Sequence, residues 1–174
     1  ACWWCKSPDV PRLMNDLIDE HGDYQSGVAA FYNGSWDSKG HEIVNPIGCA
    51  DRHDAENMNL QITRPALIEA FNRMGKDITK STHQEMRSLV CAQCHVEYYF
   101  NKNIVEGVPY LTLPWDKGYS AEDMERYYDD IEFTDWTHKL SKAPMLKAQH
   151  PGYELYMTGI HAERGVSCAD CHMP

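Results

Sequence analysis

The spacing of hydrophobic residues along the chain predicts mostly helices. Apolar side chains recur every three or four positions over residues 10–18, after Ser7 as an N-cap and Pro8 at the first helical position. The same periodicity predicts helices over residues 64–74, 83–99, 121–128 and 143–160, the last bent near Pro151. Residues 101–118, which contain prolines and glycines, read as a loop.

These elements predict one mainly α domain with long loops and little β-structure over residues 1–174. A chain of 174 residues is long enough for a hydrophobic core. The formal net charge of -10 argues against a nucleic-acid partner, because phosphate binding needs an excess of Lys and Arg. We find no apolar run long enough to span a bilayer and no signal segment at the start, although a mature or partial chain would lack a signal segment anyway.

Cysteine spacing adds candidate chemistry to this helical chain. Seven cysteines occur, and six of them form pairs separated by two residues. The pairs are Cys2/Cys5, Cys91/Cys94 and Cys168/Cys171, and Cys49 stands alone. His95 and His172 directly follow two of the pairs, which gives two complete C-x-x-C-H motifs. Such motifs attach c-type haem, because the cysteines bond to the porphyrin edge and the histidine ligates iron.

Two further segments depart from this motif by one residue each. Lys6 stands where a histidine would follow Cys5. In GCADRHD, Arg52 stands where a second cysteine would follow Cys49, and His53 is retained. Four related copies favour haem attachment over a zinc module or a disulfide framework, since neither of those needs a histidine after the second cysteine.

These segments carry a family resemblance along the whole chain. ACWWCKSPD, CAQCHVEYYF, PMLKAQHP and GIHAERGVSCADCHMP resemble the central part of the pentahaem cytochrome c nitrite reductases, periplasmic enzymes that reduce nitrite to ammonium. The resemblance implies a mainly α multihaem cytochrome whose Lys6 ligates the catalytic haem, where nitrite takes six electrons. An amine ligates iron only when it is deprotonated, which burial against a haem favours.

Two other functions stay open on the residues alone. A multihaem electron carrier without catalysis would share the attachment motifs, but it would gain nothing from the vacant coordination position that an amine-ligated haem offers. A zinc-binding module would use the cysteine pairs and carry no haem.

The resemblance also implies roles for individual residues. Catalytic residues would be Lys6, Tyr98 and His150, the last two as hydrogen-bond donors around the substrate. Calcium would be bound by the Glu97 carboxylate, the carbonyls of Tyr98 and Lys147, and the Gln149 side chain, which are all hard oxygen donors. Several c-type haems would be held by Cys2, Cys5, Lys6, Cys49, His53, Cys91, Cys94, His95, His161, Cys168, Cys171 and His172. We expect no haem role for His21, His41, His83 and His138.

The family's setting follows from the same resemblance. It implies a periplasmic location, nitrite as substrate, a quinol-linked multihaem cytochrome as electron donor and a homodimer in the full-length protein. The family's fifth haem motif, its active-site arginine and its further distal histidines do not occur in these residues. We therefore expect a partial sequence that does not work alone.

Arg52 is the one departure from the family pattern. Cysteine and arginine codons can differ by one nucleotide, so a sequence error is the interpretation we favour here. The alternative is a haem held by one thioether through Cys49, with His53 as the iron ligand.

Overall fold

Short helices joined by long connections make up the chain. The structure is a computed structural model that describes residues 2–173, with the side chain of Cys2 left out. Its α-helices are α1 (Asp9–His21), α2 (Tyr24–Tyr32), α3 (Asp37–Gly40), α4 (Pro65–Arg73), α5 (His83–Ala92), α6 (Ala121–Asp130), α7 (Gly152–Met157), α8 (Ile160–Glu163) and α9 (Cys168–His172). Short 3-10 helices cover Cys2–Cys5, Cys49–Asp51 and Ile78–Lys80. Strands are β1 (Tyr99–Val105), β2 (Val108–Thr112), β3 (Trp136–Thr137) and β4 (Pro144–Met145).

The mainly α class predicted from sequence is confirmed, and three of the predicted helices, over residues 10–18, 64–74 and 121–128, are close to the observed α1, α4 and α6. The first begins at Asp9, one residue later than predicted, and the Ser7 hydroxyl accepts from the Asp9 N–H at 3.0 Å. The helix predicted over residues 64–74 is α4. No helix was predicted where α2 lies.

The predicted helix over residues 83–99 is too long. Helix α5 ends at Ala92, and the chain turns before β1 begins at Tyr99. The Glu97 N–H donates to the carboxylate of Glu154 at 2.9 Å instead of to a carbonyl four residues earlier. A distant side chain has therefore replaced a helical hydrogen bond.

A β-hairpin occupies much of the predicted loop over residues 101–118. Strands β1 and β2 are antiparallel, with Tyr99 opposite Thr112. Glu106 and Gly107 connect them with φ angles of 52° and 87°, the left-handed pair that a tight hairpin turn requires. The loop prediction was wrong for this part of the segment.

The helix predicted over residues 143–160 was also wrong. Pro144–Met145 pairs with Trp136–Thr137 as a short antiparallel ladder, and α7 begins only after Pro151. Proline has no N–H to donate and disfavours helix in the residue before it, which explains the late start. Residues 146–151 are consequently an irregular segment that contains the predicted calcium ligands Lys147 and Gln149 and the predicted catalytic residue His150.

The main core lies between α1, α2, α4 and the β1–β2 hairpin. Its most buried large side chains include Trp4, Met14, Leu67, Leu111 and Trp115, all no more than 1% exposed. A second, aromatic cluster joins β1 to α6 through Tyr99, Tyr127, Tyr128 and Phe133. No helix within residues 2–173 has the length and apolar character needed to cross a bilayer.

Helices α1 and α2 are in close contact at Gly27. A Cβ at this position would lie 2.5 Å from the Cα of Ile18, which is backbone and cannot turn aside. We expect Gly27→Ala to lower the free energy of unfolding by about 1–3 kcal/mol, because overpacking forces the helices apart. The measurement is the melting temperature of the full-length holoprotein.

Gly40→Ala is the matched control, because no atom lies within 4 Å of a Cβ built there. An unchanged melting temperature for Gly27→Ala would contradict the close approach of the two helices.

Candidate functional site

The complete motif CAQCH forms a tight turn at the end of α5. Cys91 is in the last turn of the helix, and Cys94 lies beyond its end, which corrects the prediction that both lie on the helix. The N–H groups of Cys94 and His95 both donate to the carbonyl of Cys91, at 3.1 and 2.9 Å. The turn brings the two cysteines and the histidine together despite the end of the helix.

The departing motif around Cys49 has the same backbone pattern. The N–H groups of Arg52 and His53 both donate to the carbonyl of Cys49, at 3.0 and 2.8 Å. The Nδ1 atom of His53 lies 2.8 Å from the carbonyl oxygen of Met58. A hydrogen bond at Nδ1 fixes the ring and leaves Nε2 to face a metal, the usual arrangement of a ligating histidine.

A buried arginine connects this motif to the first one. Arg64 has no exposed surface, and its guanidinium forms an ion pair with Asp51, which is 2% exposed. The same guanidinium donates to the carbonyls of Trp4 at 3.2 Å and Ser7 at 3.3 Å. Arg64 was not singled out in the sequence, because a single arginine between motifs carries no local signal.

Gln93, inside CAQCH, brings the third motif into this network. Its carbonyl accepts from the indole N–H of Trp4 at 2.7 Å, and its Nε2 donates to the carbonyl of Asp51 at 3.0 Å. Its Oε1 also accepts from the Arg64 N–H at 3.0 Å. Three attachment segments are therefore linked by buried hydrogen bonds.

The fourth motif, CADCH, is held by its own aspartate. Asp170 accepts from the Ser167 N–H at 2.6 Å and pairs with Arg87 at 2.7 Å. These hydrogen bonds from Ser167, with a smaller contribution from the arginine, lower the pKa of Asp170 to about 2. The aspartates of both C-A-D segments thus anchor their motifs through an arginine from another part of the chain.

A cavity of about 920 Å³ lies between three of the motifs. Its lining includes Arg52, His53, Cys91, His95, His161, Cys168, Cys171 and His172, and also apolar side chains such as Leu60 and Val90. The size is at the upper end of small-molecule sites, and the mixture of thiols, imidazoles and apolar walls suits haem. His83, for which we expected no haem role, lines the same cavity.

Thiols from different motifs lie next to each other. The described thiols are all free of disulfides: Cys5, Cys49, Cys91, Cys94, Cys168 and Cys171. A hydrogen bond between Cys5 and Cys94 raises the pKa of the Cys5 thiol and lowers that of Cys94. Burial, together with the neighbouring Cys168, raises the pKa of Cys91. The predicted attachment sites consequently adjoin one another in pairs.

The C-x-x-C-K segment is a short 3-10 helix followed directly by Lys6. The Lys6 N–H donates to the carbonyl of Trp3 at 2.9 Å, and its carbonyl accepts from the Ile47 N–H at 3.0 Å. The Lys6 side chain is exposed. The predicted thioether at Cys2 lies outside the described side chains.

The two predicted distal residues are neighbours. The ring centroids of Tyr98 and His150 are 5.5 Å apart, and His150 also lies 6.5 Å from the ring of His95. Tyr98 is 8% exposed, whereas His150 is exposed. The irregular segment before α7 thus meets the segment after α5.

Tyr32 is a nearby residue that sequence reasoning missed. Its hydroxyl is buried and has no hydrogen-bond partner among the residues that the structure describes. Burial, with added contributions from Tyr98 and Cys5, raises its pKa. A buried hydroxyl without a partner is uncommon in folded proteins, and a bound group would be one explanation for it. One tyrosine among ten stood out by no feature of the sequence.

The four predicted calcium ligands also come together. Glu97 is 4% exposed, and its Oε2 accepts from the Gln149 N–H at 2.6 Å. Tyr98, Lys147 and Gln149 line a cavity of about 400 Å³. Burial raises the pKa of Glu97 to about 7.

Asp135 is a further carboxylate at this cavity that the sequence did not indicate. Its Oδ2 accepts from the Lys147 N–H at 2.7 Å. Residues 2–173 contain no group of three or more His, Cys, Asp or Glu side chains that could hold a metal ion. A cation here would therefore depend on backbone and amide oxygens beside Glu97.

Comparison with known proteins gives this arrangement a family. A family model described as cytochrome c552 matches residues 1–174. The chain belongs to the cytochrome c552 family. Membership in a cytochrome c family implies covalently bound haem, in agreement with the C-x-x-C-H motifs.

Curated members of the cytochrome c552 family match the chain over its whole length. Cytochrome c-552 of Parabacteroides distasonis is 67% identical over 174 residues, which are 100% of this chain and 33% of that protein. Those of Bacteroides thetaiotaomicron and Porphyromonas gingivalis are 65% and 64% identical, covering 33% and 32% of their lengths. The chain spans about a third of the length of these relatives.

A solved structure extends the comparison to three dimensions. The catalytic subunit of the cytochrome c nitrite reductase of Desulfovibrio desulfuricans, a protein described for the relevance of its two calcium sites, superposes with a TM-score of 0.81. It is 38% identical and covers 99% of this chain and 37% of that one. This cytochrome c552 segment therefore has a fold similar to part of a nitrite reductase. The number of haems in the whole protein stays a prediction.

The Cys49 motif of this cytochrome c552 segment generates a prediction about covalent haem. Arg52→Cys in the full-length protein should add a second thioether at a turn whose backbone already matches the complete motif. We expect a higher ratio of covalent haem to protein, measured by mass spectrometry of the denatured chain. Arg164→Cys, which adds a cysteine at an exposed position outside the motifs, is the control.

An equal haem ratio and equal nitrite reduction in the parent and the Arg52→Cys variant would contradict the sequence-error interpretation. Arg52 would then be a tolerated variation with attachment through Cys49 alone.

Proposed function

We propose that the chain is the segment of an ammonia-forming cytochrome c nitrite reductase that carries the lysine-ligated catalytic haem. The observation that carries the proposal is the 5.5 Å approach of Tyr98 and His150 in a fold similar to that of a nitrite reductase. The Cys5–Lys6 sequence supports it, because an amine stands where an electron-transfer haem would have histidine.

The haem would supply the electrons and an iron coordination position for nitrite. Lys6 would bind iron through a neutral amine, so its proton must be lost when the haem covers it. Its exposed position in the protein alone is compatible with this, since the haem would form the missing wall.

Tyr98 and His150 would serve the substrate side. Nitrite gives up both oxygens as water, and each oxygen must take up two protons as it leaves. A hydroxyl and an imidazole 5.5 Å apart would offer two donors to bound nitrite, and such donors stabilise negative charge on its oxygens. Both side chains would thus bind nitrite, orient it and donate protons to its oxygens.

Calcium would hold these two donors in position. Glu97 with the carbonyls of Tyr98 and Lys147 and the Gln149 side chain forms a set of hard oxygen donors. Among residues 2–173, no Lys, Arg or His forms an ion pair with the buried Glu97. A divalent cation would offset that buried charge and tie together the segments that carry Tyr98 and His150.

Electrons would reach the haem ligated by Lys6 through neighbouring haems. The adjacency of Cys168 to Cys91, and of Cys94 to Cys5, supports a row of attachment sites from the last motif to the first. The donor would be a quinol-linked multihaem cytochrome, the location the periplasm, and the full-length protein a homodimer. A carrier without catalysis would share the row but would have no use for an amine ligand.

Lys6→His in the full-length protein tests the catalytic assignment against the carrier. Cysteine attachment does not involve residue 6, so covalent haem content should stay unchanged. We expect nitrite turnover to fall by at least about tenfold, which is the lower end of the usual loss when the surroundings of a metal site are altered. The measurement is ammonium production with a chemical electron donor.

Lys139→His, at an exposed position outside the cysteine motifs, is the control. Undiminished ammonium production by Lys6→His would remove the argument from the lysine.

Glu97→Ala tests the calcium assignment. Loss of the one charged ligand should weaken calcium binding by about 10–100-fold and lower nitrite turnover with it, because the same peptide carries Tyr98. Calcium affinity and turnover are measured on the same full-length preparation. Glu125→Ala, in the exposed face of α6, is the control. Weakened calcium binding with unchanged turnover would show that the two are not coupled.

A further inference from the structure

Glu154 is a buried carboxylate to which the proposed function gives no role. It lies in α7, four residues after His150, and is 1% exposed. Burying a carboxylate is costly unless hydrogen bonds compensate it, so its contacts require an explanation. One of its oxygens, Oε2, has no hydrogen-bond partner among the residues that the structure describes.

The other oxygen joins two distant parts of the chain. Oε1 accepts from the Glu97 N–H at 2.9 Å and from the indole N–H of Trp115 at 2.7 Å. Trp115 has no exposed surface and packs in the main core against Phe71 and Tyr119. The peptide of Glu97 is therefore tied through one oxygen atom to a fixed point of the core.

Two more hydrogen bonds join the same segments. The Tyr153 N–H donates to the carbonyl of His95 at 2.9 Å. On the opposite side of Glu97, the Gln149 N–H donates to the Glu97 carboxylate at 2.6 Å. Residues 95–97 and 149–154 are thus joined at three places, and the hydrogen bond to Glu154 is the one that shares its acceptor oxygen with the indole of Trp115.

We infer that Glu154 is a positioning residue for the calcium site and the distal pair. Its carboxylate fixes the peptide that bears Glu97 and leads into Tyr98, against the segment that bears Gln149 and His150. The inference rests on the calcium ligands of the proposed function. It adds that the core, through Trp115 and Glu154, sets the geometry of those ligands before a cation binds.

The required chemistry at residue 154 is a hydrogen-bond acceptor at Oε1. Glutamine keeps this oxygen at the same reach and places its amide nitrogen where the unpartnered Oε2 lies. Leucine has a similar size but accepts no hydrogen bond, which leaves the buried N–H groups of Glu97 and Trp115 unsatisfied. The pair Glu154→Leu and Glu154→Gln therefore separates the hydrogen bonds from packing.

The experiment uses full-length holoprotein and measures its calcium dissociation constant by competition with a chelator. Haem content is checked by the pyridine haemochrome spectrum. We expect Glu154→Leu to weaken calcium binding by about 10–100-fold, the usual effect of removing a partner of a metal ligand. Glu154→Gln should stay close to the parent, and so should Glu163→Leu, an exposed glutamate in α8.

Parent-like calcium binding by Glu154→Leu would overturn the inference, and so would equal weakening by the leucine and glutamine variants. If the leucine variant does not accumulate with haem, Glu154→Asp replaces it. Aspartate is one methylene too short to keep both hydrogen bonds, so parent-like calcium binding by this variant would likewise overturn the inference.

The readout needs no nitrite turnover, so the two proposals can fail separately. A parent that binds calcium but does not reduce nitrite would refute the proposed reaction and leave the role of Glu154 intact. A parent protein that binds no calcium would overturn the inference and the calcium assignment together. Nitrite reduction at the haem ligated by Lys6 would still be decided by its own test.

Discussion

The ion pair between the buried guanidinium of Arg64 and Asp51 is the interaction on which the arrangement of the motifs depends. A fully buried charge is costly, and Arg64 is accommodated because Asp51 neutralises it and the carbonyls of Trp4 and Ser7 each accept a hydrogen bond from its guanidinium. Removing one member of such a pair leaves an uncompensated charge, at a cost of about 3–5 kcal/mol. Because these partners belong to different attachment segments, the ion pair fixes their relative positions as well as their stability.

The need to bring several attachment segments together explains why the helices are short. Haem needs thiols and imidazoles converging from several directions, and a long helix can offer only one face of itself. Helix α5 ends at Ala92 so that Cys94 and His95 can turn back on Cys91, and α7 begins after Pro151 so that Gln149 and His150 remain on an irregular segment. Buried hydrogen bonds that Gln93 donates and Glu154 accepts then replace the backbone hydrogen bonds that longer helices would have formed.

Local chemistry was predictable from sequence, and long-range support was not. The cysteines and histidines of CAQCH and CADCH stand in short motifs whose residue types indicate haem attachment, whereas the proposed calcium ligands Glu97 and Gln149 were predicted only through the family resemblance. Arg64 and Glu154 are bonded to partners 13 to 60 positions away in the sequence, and no local pattern marks the buried hydroxyl of Tyr32, so no window of periodicity could show these residues. The β1–β2 hairpin is different, because IVEGVPY carries a turn signal that the proline and glycine count obscured.

The Arg52 motif shows what the support network can and cannot replace. Asp51 is bonded to Arg64, and the His53 ring to Met58, through contacts that do not involve the side chain of residue 52. Neighbouring residues thus hold both the turn and the ring of His53, the predicted iron ligand, whereas only a cysteine can form the second thioether. Covalent stoichiometry and ligand geometry are therefore separable properties of this motif, and a change at residue 52 alters the first without requiring any change in the second.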